Sequence, residues 1–146
     1  MDNAVQKLFY SGKHKRHCVK YECGVRRDGL ICWINGPHQG SKADVTVYRE
    51  QRMEDHLDLG ERILGDKGYF GEKRIITPRK KRPGKELTTE ELAFNGIVSS
   101  HRIEVEHTFG KIKVFRALSS PWRQALKRHK KVFFILCEIT NLKEYQ

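Results

Sequence analysis

The chain has 146 residues, enough for one domain with a modest core, and 38% of them are hydrophobic, which excludes a disordered tail. The longest apolar run, VFFILC at 132–137, is far too short for a bilayer span, and the start MDNAVQKLFYSGKHKRHC lacks a secretory h-region, so an intracellular protein is expected. Lysine and arginine number 29 against 18 acids, a net charge of +11, and such a field favours a polyanion, of which nucleic acid is the commonest in a cell.

Alternation over 17–23, with Val19 and Tyr21 between Cys18, Lys20 and Glu22, predicts a half-buried strand. Asp28-Gly29 is a hairpin turn signal, and LICWI at 30–34 is the returning strand. NGPHQGSKAD, 35–44, reads as a glycine-proline loop. Ser41 and Asp44 have capping-box spacing, and the helix after them carries Val45, Tyr48 and Met53. Ile63 and Leu64 end a short strand, Gly68 turns the chain, and IIT at 75–77 is another strand, stopped by Pro78. Thr88 and Glu91 form a second capping box, opening a helical segment that runs towards Leu118. A last helix is expected to bury Val132, Leu136 and Ile139. The order is hairpin, helix, strand, strand, helix, helix, without repeats: an α/β domain over 1–146 with a mixed sheet.

The four cysteines, Cys18, Cys23, Cys32 and Cys137, fit buried free thiols in a reduced compartment. Cys18 and Cys23 with His14 and His17 make a poor zinc set, because the C-x₄-C spacing is unusual and the two thiols face opposite sides of a strand. The cations cluster as KHKR at 13–16, RKKRPGK at 79–85 and KRHKK at 127–131. Solubilising surface or a nuclear address is the plain alternative to nucleic-acid contact.

Asp66 stands where the Ile63-Leu64 strand leaves the core, the place where open α/β sheets carry ligands and catalysis. Its plain role would be to start a turn. Along 98–115, Val98, Val105, Phe109 and Ile112 form one helical stripe, while Ser99, Arg102, Glu106, Gly110 and Lys113 form another. Glu106 is thus a single carboxylate between cations, with no side chain at Gly110 beside it. The plain role of Arg102 and Glu106 is a surface pair. A strand-end Asp with a helix-borne Glu is also the ligand type that Mg²⁺ or Mn²⁺ takes, and such ions serve phosphodiester displacement.

The strings YSGKHKRH, GPHQGSKADVTVYRE, LGDKGYF, LTTEELAFN and SSHRIEVEHTFGKIKVFRAL, in this order, resemble the DDE endonuclease domain of PIF/Harbinger-type transposases over nearly the whole chain, Phe9 to Leu142. The resemblance implies a ribonuclease H-like fold and metal-dependent cutting and joining of DNA. It places the family's second catalytic Asp on Asp66 and its Glu on Glu106, both metal ligands. Arg102 and Lys113 fall on basic positions of the same motif, and these, with His101 and Arg79, Lys80, Lys81 and Arg82, are expected to hold DNA. Asp44 matches a non-catalytic acid, read as the helix cap. The family's first catalytic Asp stands on a strand before the Y-S-G-K segment, in an Asp-Ala-Thr or Asp-Gly-Thr context. Here Tyr10-Ser11-Gly12-Lys13 lies close to Met1, so the resemblance implies an N-terminal truncation that removes the central first strand and one carboxylate. Asp2 is the acid at that end, without a strand-like run around it. Nuclear localisation and a Myb-like DNA-binding partner are implied in the same way. The competing reading is a catalytically inactive relic serving as a basic DNA- or protein-binding module.

Overall fold

The computed structural model describes residues 3–144, and Asp2 lies outside the described residues. Helix α1 (Asn3–Phe9) leads into β1 (Tyr10–Ser11), which pairs antiparallel with β2 (Arg16–His17). None of these three is signalled by the apolar patterning. Strands β3 (Val19–Val25) and β4 (Ile31–Gln39) then form the expected hairpin. Gly29 adopts φ +84° at the turn, where the Arg26 N–H donates to the Leu30 carbonyl at 2.8 Å.

Strand β4 runs to Gln39, through the residues whose composition predicts a loop. A bulge makes this possible. Lys20 pairs with His38 and Glu22 with Asn35, so β4 carries one extra residue. Gly36 absorbs it at φ +127°, and a Cβ there would lie 2.8 Å from the Lys20 carbonyl oxygen.

Helix α2 (Asp44–Gln51) starts where expected but not as expected. Its N-cap is Ala43, with no side-chain cap. The Ser41 hydroxyl donates instead to the Leu8 carbonyl at 2.7 Å, and Asp44 pairs with the Lys20 ammonium at 3.0 Å. Asp44 is therefore a first-turn acid, favoured by the helix dipole, and not the cap. Arg52, at φ 49°, ends α2, and Met53 is buried on the short 3₁₀ turn that follows (Met53–His56).

Strands β5 (Ile63–Leu64) and β6 (Ile75–Ile76) pair in parallel. Among the described residues the strands form three separate two-stranded ladders rather than one mixed sheet. Helix α3 (Thr89–Lys113) opens on the predicted capping box: the Thr88 hydroxyl accepts from the Glu91 N–H at 3.1 Å, and the Glu91 carboxylate from the Thr88 N–H at 3.0 Å. A cap of this kind contributes about 1 kcal/mol. After a break at Val114 and Phe115 comes the one-turn α4 (Arg116–Ser119), then α5 (Leu126–Glu144).

The hairpin lies between two apolar clusters. On one side Ile31, Ile112, Phe133 and Cys137 bring α3 and α5 together, with Tyr21, Cys23, Val25 and Phe109 packed around them. On the other, Tyr48, Met53 and Ile75 join α2 to the β5–β6 pair, with Trp33 between. The predicted α3 stripe holds at Val98 and Ile112, both 2% exposed. The α5 stripe is rotated: His129, Phe133, Cys137 and Thr140 are buried, Val132 and Leu136 are intermediate, and Ile139 is exposed.

His129 reaches the core with one ring nitrogen hydrogen-bonded there. Its Nδ1 shares a 2.7 Å hydrogen bond with the Tyr21 hydroxyl, and Trp122 packs edge-on against the ring at 4.9 Å between centroids. Burial holds His129 below its ordinary 6.5, and burial with the Lys42 charge does the same to His38. In the unfolded chain both rings take up a proton near 6.5, while the folded rings resist it. Stability is therefore full above that pH and lost as pH falls through and below it. A thermal unfolding midpoint that declines from pH 7.5 to about 5.5 is expected, and a flat profile would contradict two rings held neutral by the fold.

Candidate active-site cleft

The G-D-x-G-Y segment is built from β5 outward. Gly65 passes so close to β6 that a Cβ would stand 2.6 Å from Ile75 Cγ2. Asp66 then caps a 3₁₀ turn, Lys67–Tyr69, accepting the Gly68 N–H on Oδ1 at 2.7 Å. Tyr69 returns to the core against Tyr48, edge to face at 6.1 Å, and burial raises its hydroxyl, with Asp44, Glu22 and Asp66 adding. The turn-starting role of Asp66 is real, and it occupies one carboxylate oxygen.

Asp66 also lines a cleft of about 320 Å³, with Lys67, Pro78, Asn95, Ser99 and Arg102. Three elements converge on it: the exit of β5, the exit of β6 at Pro78, and the second to fourth turns of α3. An acid and two cations thus share a solvent-open depression. Arg102 and Glu106 form no ion pair, so the plain surface pair predicted for them is not made among the described residues. Glu106 is exposed, one turn beyond Arg102, roughly 6 Å further along the axis, and outside the cleft lining. A Cβ at Gly110 would meet nothing within 4 Å, leaving the helix surface beside Glu106 uncovered. His101 and Lys113 are exposed on α3, away from the lining.

The basic run at 79–82 is tethered to its surroundings. The Arg79 guanidinium lies over the Phe94 ring at 5.0 Å and the Lys80 ammonium over Phe70 at 4.6 Å. Lys81 pairs with Glu86, and Arg82 with Glu91 at 3.2 Å. Lys67, Asn95 and Ser99 are cleft residues that charge and patterning do not single out as functional. Two of them carry a signal in the sequence all the same. The polar helical stripe passes through Ser99, and Phe94-Asn95 closes the LTTEELAFN string on which the resemblance rests.

A divalent metal is the group that this kind of site implies. Asp66 and Glu106 offer hard carboxylate oxygens of the right chemistry. Among the described residues no three of His, Cys, Asp and Glu come together to hold an ion. No helix among the described residues is long and apolar enough to cross a membrane.

Residues 1–141 match the family described as DDE superfamily endonuclease. The chain is 31% identical over 129 residues to "Probable transposase for insertion sequence element IS702" of Microchaete diplosiphon, an alignment covering 84% of this chain and 45% of that protein. The chain therefore spans less than half the length of this relative. No solved structure matches it. With a mixed α/β architecture and a match over nearly its whole length, the chain belongs to the DDE superfamily endonuclease family.

Proposed function

We propose that residues 1–146 are a single nuclease domain of a DNA transposase, dependent on Mg²⁺ or Mn²⁺, with Asp66 and Glu106 as its metal-holding carboxylates. The observation that carries this reading is the meeting of Asp66 with Arg102 and Lys67 in one cleft. An acid beside fixed cations suits a phosphodiester, whose charge the cations attract while the acid awaits an ion. When bound, the metal polarises the phosphoryl group and activates the attacking water. Arg102 and Lys67 orient the scissile phosphate, and the basic run at 79–82, His101 and Lys113 hold the flanking backbone. Water attacks phosphorus, the P–O3′ bond breaks, and a 3′-hydroxyl leaves with a proton; in strand transfer such a hydroxyl attacks a second DNA.

The Harbinger-type assignment, the ribonuclease H-like topology and the nuclear location belong to this proposal. Their support is the order of the motifs, the hairpin–helix–parallel-pair sequence of elements and the basic runs. In such a fold a further strand would lie between the hairpin and the β5–β6 pair and add a third carboxylate. A Myb-like partner supplying sequence recognition rests on the resemblance alone. The second reading, a DNA-binding relic, is favoured by the position of Glu106, which stands outside the cleft that Asp66 lines.

Nicking of supercoiled plasmid separates the two. The nuclease reading expects nicks with 3′-hydroxyl ends in Mg²⁺ or Mn²⁺, none in EDTA, and a loss of about 10³-fold or more in Glu106→Gln. Salt-sensitive DNA binding without metal-dependent nicking would establish the binding module instead.

A further inference from the structure

Asn95 sits in the second turn of α3, and its amide clasps one residue of the basic loop on both sides. Oδ1 accepts the Arg79 N–H at 2.7 Å, and Nδ2 donates to the Arg79 carbonyl at 3.1 Å. A side-chain amide here does what a neighbouring strand would do: it satisfies both backbone groups of a single residue and fixes its orientation. Arg79 follows directly on Pro78, which with Asn95 itself lines the Asp66 cleft. The clasp therefore ties the start of the basic run to the cleft rim.

The four cations of that run are not equivalent. Lys81 and Arg82 are matched by Glu86 and Glu91. Arg79 and Lys80 rest on the aromatic faces of Phe94 and Phe70, and no carboxylate pairs with either among the described residues. A ring face holds a cation in place without cancelling its charge. The uncompensated charge of the run thus stands at its first two residues, those nearest the clasp.

We infer that Asn95 is a positioning residue that holds Arg79 and Lys80 at the cleft rim as a preformed seat for the DNA phosphate backbone. This rests on the proposed nuclease reading and deepens it. Asn95 acts through Arg79 and does not touch the reacting phosphate. A floppy loop would have to be ordered at each encounter, and the clasp removes that cost beforehand.

The test is binding of the full chain to a duplex of about 30 base pairs in EDTA, long enough for several phosphate contacts, followed by anisotropy over a salt series. Asn95→Ala is compared with the Arg79→Ala/Lys80→Ala double variant and with the combination of all three. Each phosphate contact contributes a slope of about −0.9 to log K against log salt. Asn95→Ala is expected to weaken binding roughly 3- to 10-fold and to make the slope shallower by about one to two, as the double variant does. The triple variant is expected to add little, because all three act at one seat. Asn95→Ser, whose single shorter hydroxyl can serve at most one of the two Arg79 backbone groups, is expected to fall between wild type and Asn95→Ala and serves if Asn95→Ala does not fold.

A lowered thermal midpoint with a wild-type slope would overturn the inference and leave Asn95 as a structural stitch, with the nuclease reading intact. Strictly additive effects in the triple variant would overturn it too. A wild-type chain with no salt-dependent affinity for DNA would remove the nucleic-acid reading and this inference together.

Discussion

Replacing Asp66 by Asn should lower metal-dependent DNA cleavage by roughly 10³-fold or more, the scale on which loss of a central catalytic group is felt, while leaving stability almost unchanged. The two halves of this expectation come from the turn that this carboxylate makes and from the ligand role proposed for it. Oδ1 accepts the Gly68 N–H and starts the 3₁₀ turn. Asn serves at such a cap nearly as well as Asp, since only an acceptor oxygen is needed. What Asn cannot supply is the anionic oxygen for a divalent ion. Asp66→Ala should lose cleavage equally and about 1 kcal/mol of stability besides. Plasmid nicking beside thermal unfolding checks both. Cleavage that survives in Asp66→Asn would reduce Asp66 to a turn residue and sink its assignment as a ligand.

Ile112→Ala should cost about 2–5 kcal/mol, a large part of the roughly 5–15 kcal/mol that holds a typical domain together. Ile112 is 2% exposed at the junction of α3, α5 and the hairpin, beside Ile31, Phe133 and Cys137. Truncation removes apolar contact and leaves a cavity that two helices and a strand cannot close. Urea denaturation is expected to show a lower midpoint at unchanged slope. Val114→Ala, two residues on at a site 80% exposed, should stay within about 0.5 kcal/mol of wild type. Equal losses at the two positions would mean that α3 is not docked through Ile112. Arg102 lies on the same helix, so the docking that buries Ile112 also aims that guanidinium at the cleft.

Features written in a few adjacent residues are legible in the sequence. The Asp28-Gly29 turn and the Thr88–Glu91 box need only near neighbours along the chain, and both form. Ser41 and Asp44 have the same spacing, yet each finds a better partner far away, at the Leu8 carbonyl and the Lys20 ammonium. Local spacing cannot announce that competition. The phase of α5 is hidden for a different reason. VFFILC is apolar at six successive positions, so every helical face through it looks buriable. The choice is made outside the run, by His129, which bonds Tyr21, while Thr140 can be buried on the same face because its hydroxyl bonds the Leu136 carbonyl of its own helix. Of the candidate site, Asp66 and Arg102 line one cleft, while Glu106 lies one turn off the lining. The clasp made by Asn95 stays hidden, although the residue lies in a string that carries the resemblance, because its partner is a backbone sixteen residues away.

Asn141 repeats on α5 what Asn95 does on α3. Its amide accepts the Ile31 N–H at 2.9 Å and donates to the Ile31 carbonyl at 3.0 Å, joining residues 110 positions apart. During synthesis the hairpin is complete at Gln39, but the helix that covers its apolar face and closes the Ile31 edge leaves the ribosome about a hundred residues later. At roughly 5–20 residues per second that is an interval of about 5–20 s. Throughout it the nascent chain shows an unpaired strand edge beside Tyr21, Cys23 and Ile31, the kind of surface that chaperones bind and that crowded polysomes punish by aggregation.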